Sequence, residues 1–242
     1  MKHQTDESWR RVIDAGEVKT QADFIMNGLI TDCLSNITPN VKIYSEETVH
    51  ALQDRCRTYW LIDPIDGTSS WLSGFEGFVT QAALIEDNFP ILGMIYHPAS
   101  DRLWHNDMKG RVWCNSEQIK SPSVIPEKLR LIDNYPIPSG VAADFWRLPE
   151  IGEYIECGSL GLKSILTLVG EADLFVKSTI VRDWDIAPSL AIAHCLRGKM
   201  VNQYGVNLNL GTDIEFNHGL IVSWHSEFAL WASEILRSTT DA

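Results

Sequence analysis

The stretch Trp60-Leu61-Ile62-Asp63-Pro64-Ile65-Asp66-Gly67-Thr68, "WLIDPIDGT", ends an apolar run with two carboxylates, a proline and a glycine. A short apolar run closed by turn residues reads as a strand. Two readings of the acids stay open on these residues alone. In the first, the pair belongs to a turn, and Asp66 caps a helix that starts at Gly67. In the second, a strand end followed by a tight turn aims two carboxylates and a backbone carbonyl into one small volume, the oxygen set that a hard cation such as Mg2+ takes. Gly67 then lets the backbone approach a ligand closely, and the amides of Gly67 and Thr68 at a helix N-terminus offer a seat for a phosphate oxygen.

Upstream, "ADFIMNGLITDCL" (22–34) puts Phe24, Ile25, Gly28, Leu29 and Leu34 at helical spacing and predicts an amphipathic helix just after Asp23. "VKIYSEE" (41–47) reads as a short strand that ends in Glu46 and Glu47. Downstream, 58–63, 78–87 and 90–98 are β-rich segments parted by Gly, Asn and Pro, and "RLWHND" and "GRVWCN" continue them as an antiparallel meander. The Ser/Pro-rich "KSPSVIPEK" (120–128) marks a boundary between an N-terminal half, 1–120, and a C-terminal half, 121–242. In the second half, strands near 129–134 and 172–177 flank a helix at about 159–170. Another helix opens near Asp185 and runs to about Leu196, and "GLIVSW" leads into a C-terminal helix. This alternation suggests a layered α/β arrangement.

The chain has 242 residues, 45% of them hydrophobic, enough to bury a substantial core. Its 32 acids against 20 Lys and Arg give a formal charge of −12, which repels a nucleic-acid backbone and argues against a nucleic-acid polymer as partner. A small phosphorylated ligand remains compatible, provided that carboxylates hold divalent cations that invert the local field. Cys33, Cys56, Cys114, Cys157 and Cys195 are scattered and form no C-x-x-C pair, which fits a reduced cytoplasmic protein without a zinc site. The first twenty residues lack a signal-peptide core and no apolar run has membrane-spanning length, so no membrane partner is expected. Neither G-x-x-x-x-G-K nor G-x-G-x-x-G opens a helix, which argues against a P-loop or Rossmann nucleotide binder.

Two further acid groups repeat the theme of the opening stretch: "YSEET" at 44–48 and "DWDIAPSL" at 183–190. Each has a plainer reading, a solvated strand end for the glutamates and an N-cap for Asp185. With "DPIDGT", the upstream "EE", "WDIA" at the start of a late helix and the Asp of "KTQAD", the chain resembles the inositol monophosphatase family of Mg2+-dependent, Li+-sensitive phosphatases. The likeness runs from about Lys19 to about Trp224 and takes in the meander at 77–104 and the Gly-Ser helix at 158–176.

The resemblance implies a layered α/β/α/β/α sandwich of the inositol monophosphatase and fructose-1,6-bisphosphatase type, of the α+β kind, with a possible homodimer. It implies two or three Mg2+ ions. Glu46, Asp63 and the Ile65 carbonyl would hold the first, and Asp63, Asp66 and Asp185 the second. Asp23 and Thr68 would orient the attacking water, and Asp66, Gly67 and Thr68 would face the phosphate. Glu47 stands behind Glu46. His97, His105 and His194 read as core-edge or surface residues, Trp184 as packing, and Cys195 as a small buried hydrophobe.

For the group on the phosphate the chain departs from inositol monophosphatases, with Ser178 where they carry an acid that grips sugar hydroxyls. Gly158, Ser159, Lys163 and Arg182 are the expected substrate contacts. Lys163 is placed like a lysine of the bacterial 3'(2'),5'-bisphosphate nucleotidases, and a cation there can neutralise a second phosphate; its plainer reading is a lysine projecting into water. Adenosine 3',5'-bisphosphate is therefore preferred over inositol 1-phosphate and histidinol phosphate. The early position of Asp23 implies that part of the family's opening helix is missing or rebuilt, with "SWRRVIDAG" supplying one or two turns. That departure motivates the rival reading of a non-catalytic regulatory relative.

Overall fold

The computed structural model describes residues 12–14, 19–48, 55–211 and 213–240. The elements that build the fold begin with β1 (Val12–Asp14), β2 (Lys19–Thr20), α1 (Gln21–Ile37) and β3 (Lys42–Ser45). The meander follows as β4 (Thr58–Asp66), α2 (Thr68–Ser73), β5 (Val79–Glu86), β6 (Phe89–His97), β7 (Arg102–Asn106), β8 (Val112–Cys114) and β9 (Glu117–Ile119). The second half runs β10 (Leu129–Asp133), α3 (Gly140–Trp146), β11 (Ile151–Glu156), α4 (Leu160–Leu168), β12 (Leu174–Lys177), β13 (Val181–Arg182), α5 (Asp183–Leu196) and β14 (Lys199–Val201). It closes with β15 (Glu215–Phe216), β16 (Leu220–Ser223) and α6 (Ser226–Thr240).

β3 to β9 form a seven-stranded sheet in chain order, antiparallel except for the parallel pair β3 and β4. The second sheet has five strands in the order β11-β10-β12-β16-β14. Period-two alternation distributes the strand side chains over three cores. On β4, Trp60 and Ile62 pack with Leu34 of α1 on one face, whereas Tyr59 and Leu61 face the central core with Ile165 of α4 and Ile186 of α5. On β12, Phe175 joins that central core, and Leu174 and Val176 turn outward to Phe145 of α3 and Ala232 of α6. The layers are therefore α1, the seven-stranded sheet, α4 with α5, the five-stranded sheet, and α3 with α6. This is the α/β/α/β/α sandwich. A strand covered on both faces has no polar side, which explains why the "YWLI" run does not alternate.

α5 lies close on the first sheet because β6 offers Gly93 beneath it: a Cβ there would come within 2.1 Å of the Pro188 carbonyl oxygen. Two sequence expectations need correction. Val12–Asp14, inside the segment expected to supply helical turns, is a strand paired with β2, and the remainder of "SWRRVIDAG" lies outside the described residues. The residues between β10 and α4, which carry Pro136, Pro138, Gly140 and Pro149, contain a helix and a parallel strand, α3 and β11, that the breakers conceal. Among the described residues no helix is long and apolar enough to cross a membrane.

Candidate active site

The site starts with a register fault. Asp63 pairs with Gln81 across the β4–β5 ladder, but Asp66 pairs with Val79, so β4 carries one extra residue between them. In an unbroken strand, residues three apart point to opposite faces; the bulge returns Asp66 to the face of Asp63. Pro64 has no N–H to lose there, and its carbonyl accepts the Thr80 hydroxyl at 2.8 Å. Gly67 then turns the chain at φ 92°, and a Cβ on it would stand 2.8 Å from the Cβ of Ser159, so glycine is required twice over.

Asp66 does not cap α2, as the turn reading has it. It reaches across to α4, where its two oxygens accept the N–H groups of Leu160 at 3.3 Å and Gly161 at 2.5 Å. These are unpaired donors of the helix N-terminus. Asp185 sits in the first turn of α5 and accepts the N–H of Arg182 at 2.8 Å. Carboxylate oxygens of Asp63, Asp66 and Asp185 all lie within 4.8 Å of one another.

Crowding and burial act on these acids together. Burial, then repulsion from Asp66, pushes Asp185 up to about 8. Glu46 is pushed up to about 7, mainly by burial, with a hydrogen bond to Asp63 opposing the rise and repulsion from Glu47 adding to it. Asp63 is held well above the ordinary carboxylate range by burial and then by Glu46, Asp66 and Asp185. One oxygen of Asp63 is buried without a hydrogen-bond partner. None of Asp63, Asp66 and Asp185 makes an ion pair with a Lys or Arg among the described residues. An all-oxygen donor set without a direct ion pair fits a hard divalent cation.

Asp23 lies inside α1, not ahead of it, and is buried. Its Oδ2 accepts from the backbone N–H of Thr20 at 2.7 Å and the Thr20 hydroxyl at 2.5 Å, a capping arrangement that fixes the carboxylate. Its other oxygen is 3.3 Å from the Thr68 hydroxyl, which also donates to the Ile65 carbonyl at 3.0 Å. Asp23, Ile65 and Thr68 are thus gathered at one place. Glu46 follows β3, and Lys19 donates to its backbone carbonyl at 3.1 Å while pairing with Glu47 at 3.5 Å.

A cleft of about 380 Å³ takes in Asp66, Gly67, Thr68 and Asp185 together with Gly158, Ser159, Lys163 and Lys177. Lys163 is not the solvent-directed lysine of the plainer reading: it is 3% exposed, donates to the Gly158 carbonyl at 2.8 Å and has its ammonium 4.9 Å from the Phe175 ring centroid. Burial pushes it down to about 8. Arg182 is not among the residues lining the cleft; its side chain lies over Trp184 and 3.4 Å from Glu215. Sequence reasoning missed Ser69, Ser70 and Asn134 on the cleft wall and the buried Gln81 beneath the acids. It also missed the ion pair of Arg55 with Asp183, which ties the start of α5 to the entry of β4.

The profile of the inositol monophosphatase family matches residues 2–235. The chain belongs to this family. Its reaction class follows, metal-dependent hydrolysis of a phosphoric monoester. Similar curated proteins include the 3'(2'),5'-bisphosphate nucleotidase CysQ of Buchnera aphidicola, 30% identical over 219 residues that span 84% of this chain and 79% of that one. The CysQ nucleotidase of Aggregatibacter actinomycetemcomitans is 30% identical over 70% of this chain and 66% of its own. Among solved structures, the Thermotoga maritima IMPase superposes with a TM-score of 0.79 at 21% identity, over 96% of this chain and 91% of that one. An IMPase/NADP phosphatase with Mg2+ and phosphate gives 0.75 at 22% identity, over 88% and 81%. At these identities the structures speak for the fold.

Proposed function

We propose that this inositol monophosphatase relative removes one phosphate from a nucleoside bisphosphate, adenosine 3',5'-bisphosphate being the preferred substrate. The observation that carries the proposal is the presence of two lysines, Lys163 and Lys177, in the same cleft as the acid cluster. A monophosphate ester engages the metal end alone, whereas a second phosphate needs its own cationic partner. Curated relatives carrying the name 3'(2'),5'-bisphosphate nucleotidase support the reading, and so does Ser178 in place of an acid for sugar hydroxyls.

In this reading Glu46, Asp63 and the Ile65 carbonyl would hold one Mg2+, and Asp63, Asp66 and Asp185 a second; the chemistry such ions would supply is activation of water and neutralisation of charge on the leaving oxygen. Asp23 and Thr68 orient the attacking water; Asp23 is already pinned by Thr20 and needs no reorganisation. The amides of Gly67 and Thr68 receive a phosphate oxygen. Lys163, on the cleft wall with Gly158 and Ser159, neutralises the second phosphate, and Lys177 adds to it. The seven-stranded half, within 1–120, carries Asp23, Glu46 and the bulge, and the half from 121 carries Asp185 and the lysines.

The test compares kcat/KM for adenosine 3',5'-bisphosphate, inositol 1-phosphate and histidinol phosphate with Mg2+, with and without Li+. The bisphosphate should be turned over fastest, and Lys163→Ala and Lys177→Ala should lower its rate selectively. Faster turnover of inositol 1-phosphate overturns the substrate. Measurable Mg2+ binding with no release from any ester favours the non-catalytic relative.

A further inference from the structure

Gln81 faces Asp63 across the ladder and is 1% exposed. Its amide nitrogen lies 3.5 Å from Asp63 Oδ2, 3.4 Å from Asp66 Oδ2, 3.3 Å from the Trp184 carbonyl and 3.4 Å from the Asp185 carbonyl. Four acceptors surround one nitrogen, so the orientation of the amide is decided by its surroundings. Those acceptors come from the two elements that carry the acid cluster, the bulged end of β4 and the first turn of α5. The amide oxygen points the other way, buried and without a partner, against α4: a Cβ on Gly161 would stand 2.3 Å from it. A buried amide with an unsatisfied oxygen is costly to keep, and an apolar residue would fill the space without that cost.

We infer that Gln81 is a positioning residue, which holds the Asp63 and Asp66 carboxylates and the start of α5 in the spacing that a divalent cation requires. This rests on the reading of the acids as a metal site. A neutral donor suits that place. It draws the carboxylates together by hydrogen bonding, whereas a Lys or Arg there would supply the positive charge itself and compete with the cation. Its reach matters as well, because only a side chain as long as Gln extends from β5 both to β4 and to the carbonyls of α5.

Mn2+ binding measured by electron paramagnetic resonance tests this without recourse to turnover. Gln81→Leu, close in volume and without the donor, should weaken Mn2+ binding by about 10-fold to 100-fold while the circular dichroism of the folded protein stays unchanged. Gln81→Asn, which withdraws the amide by one methylene, should weaken it by a smaller factor and decides the matter if the Leu variant fails to fold. A residue that merely fills space would alter the melting temperature and leave Mn2+ affinity alone. Binding by both folded variants at parental affinity overturns the inference. Asp63→Asn separates the two failures. If it loses Mn2+ while the Gln81 variants keep it, only the role of Gln81 falls; if it keeps Mn2+, the metal-site reading falls.

Discussion

Two buried aspartates, one for each large sheet, have opposite fates. Asp173, just ahead of β12, accepts from the Arg130 backbone at 2.9 Å, from its guanidinium at 2.8 and 3.0 Å, and from the Trp224 indole at 2.8 Å. Burial presses its pKa upward, but Arg130 and Trp224 outweigh it and hold the carboxyl below its ordinary value. Asp63 on β4 is as deeply buried, has one oxygen without a partner, and is surrounded by other acids that drive its pKa up. The protein completes the first carboxylate by itself and leaves the second incomplete. That difference marks which of two equally buried charges is structural and which awaits a ligand.

Asp63→Asn should give the largest effect. Turnover of any phosphate ester should disappear, while the metal-free protein keeps its fold and melts no lower than the parent, because a repelled carboxylate has been removed. A melting temperature well below that of the parent breaks the comparison. Arg130→Ala should do the reverse. It leaves Asp173 buried without its guanidinium and should cost about 1 to 3 kcal/mol by chemical denaturation, with kcat/KM per folded molecule unchanged. The Arg130 side chain is about one-third exposed, which keeps the loss below that of a fully buried pair.

The raised acids give a pH test. Glu46 at about 7 and Asp185 at about 8 hold protons in the metal-free native state that the unfolded chain has released. The native state then binds more protons at these two sites, so their contribution to its stability is fully present below about pH 4 and is lost as pH rises through 7 and 8. Mg2+ requires these acids ionised, so its stabilising effect should grow over the same window. Melting temperatures measured with EDTA and with Mg2+ should diverge as pH rises. Parallel curves would mean that the acids carry their counter-charge within the protein, as Asp173 does.

The contrast also separates what is legible in the sequence from what is not. The strand at 58–63, its acidic end and the helix opening near Asp185 can be read because composition and spacing along one segment carry them. The bulge cannot, because it is a relation between β4 and β5, and Pro64 is its only local sign. Gln81 bears no charge and belongs to no motif; its sole signal is its register opposite Asp63. The burial of Lys163 cannot be read either, because α4 lies between two sheets and is buried on nearly every face, so no helical stripe identifies a solvent side. Arg182 stands three residues before Asp185, yet its side chain turns to Glu215 on the neighbouring strand, and distance along the chain says nothing of that.

A third aspartate supplies the smallest effect and sharpens the comparison. Asp87, in the turn between β5 and β6, is gripped by Arg57 through two contacts of 2.7 Å, a geometry as good as that of Asp173. Both members of the pair stand in water, with the Arg57 and Asp87 side chains 73% and 60% exposed. Solvent and salt screen such a pair, and ordering two side chains offsets what attraction remains. Arg57→Ala should therefore leave the denaturation midpoint indistinguishable from that of the parent, in low salt and in high. A clear loss would mean that pairing geometry alone makes an ion pair stabilising, whatever its exposure. No loss would mean that a partner matters only where the carboxylate is buried, the condition that Asp173 and Asp63 share.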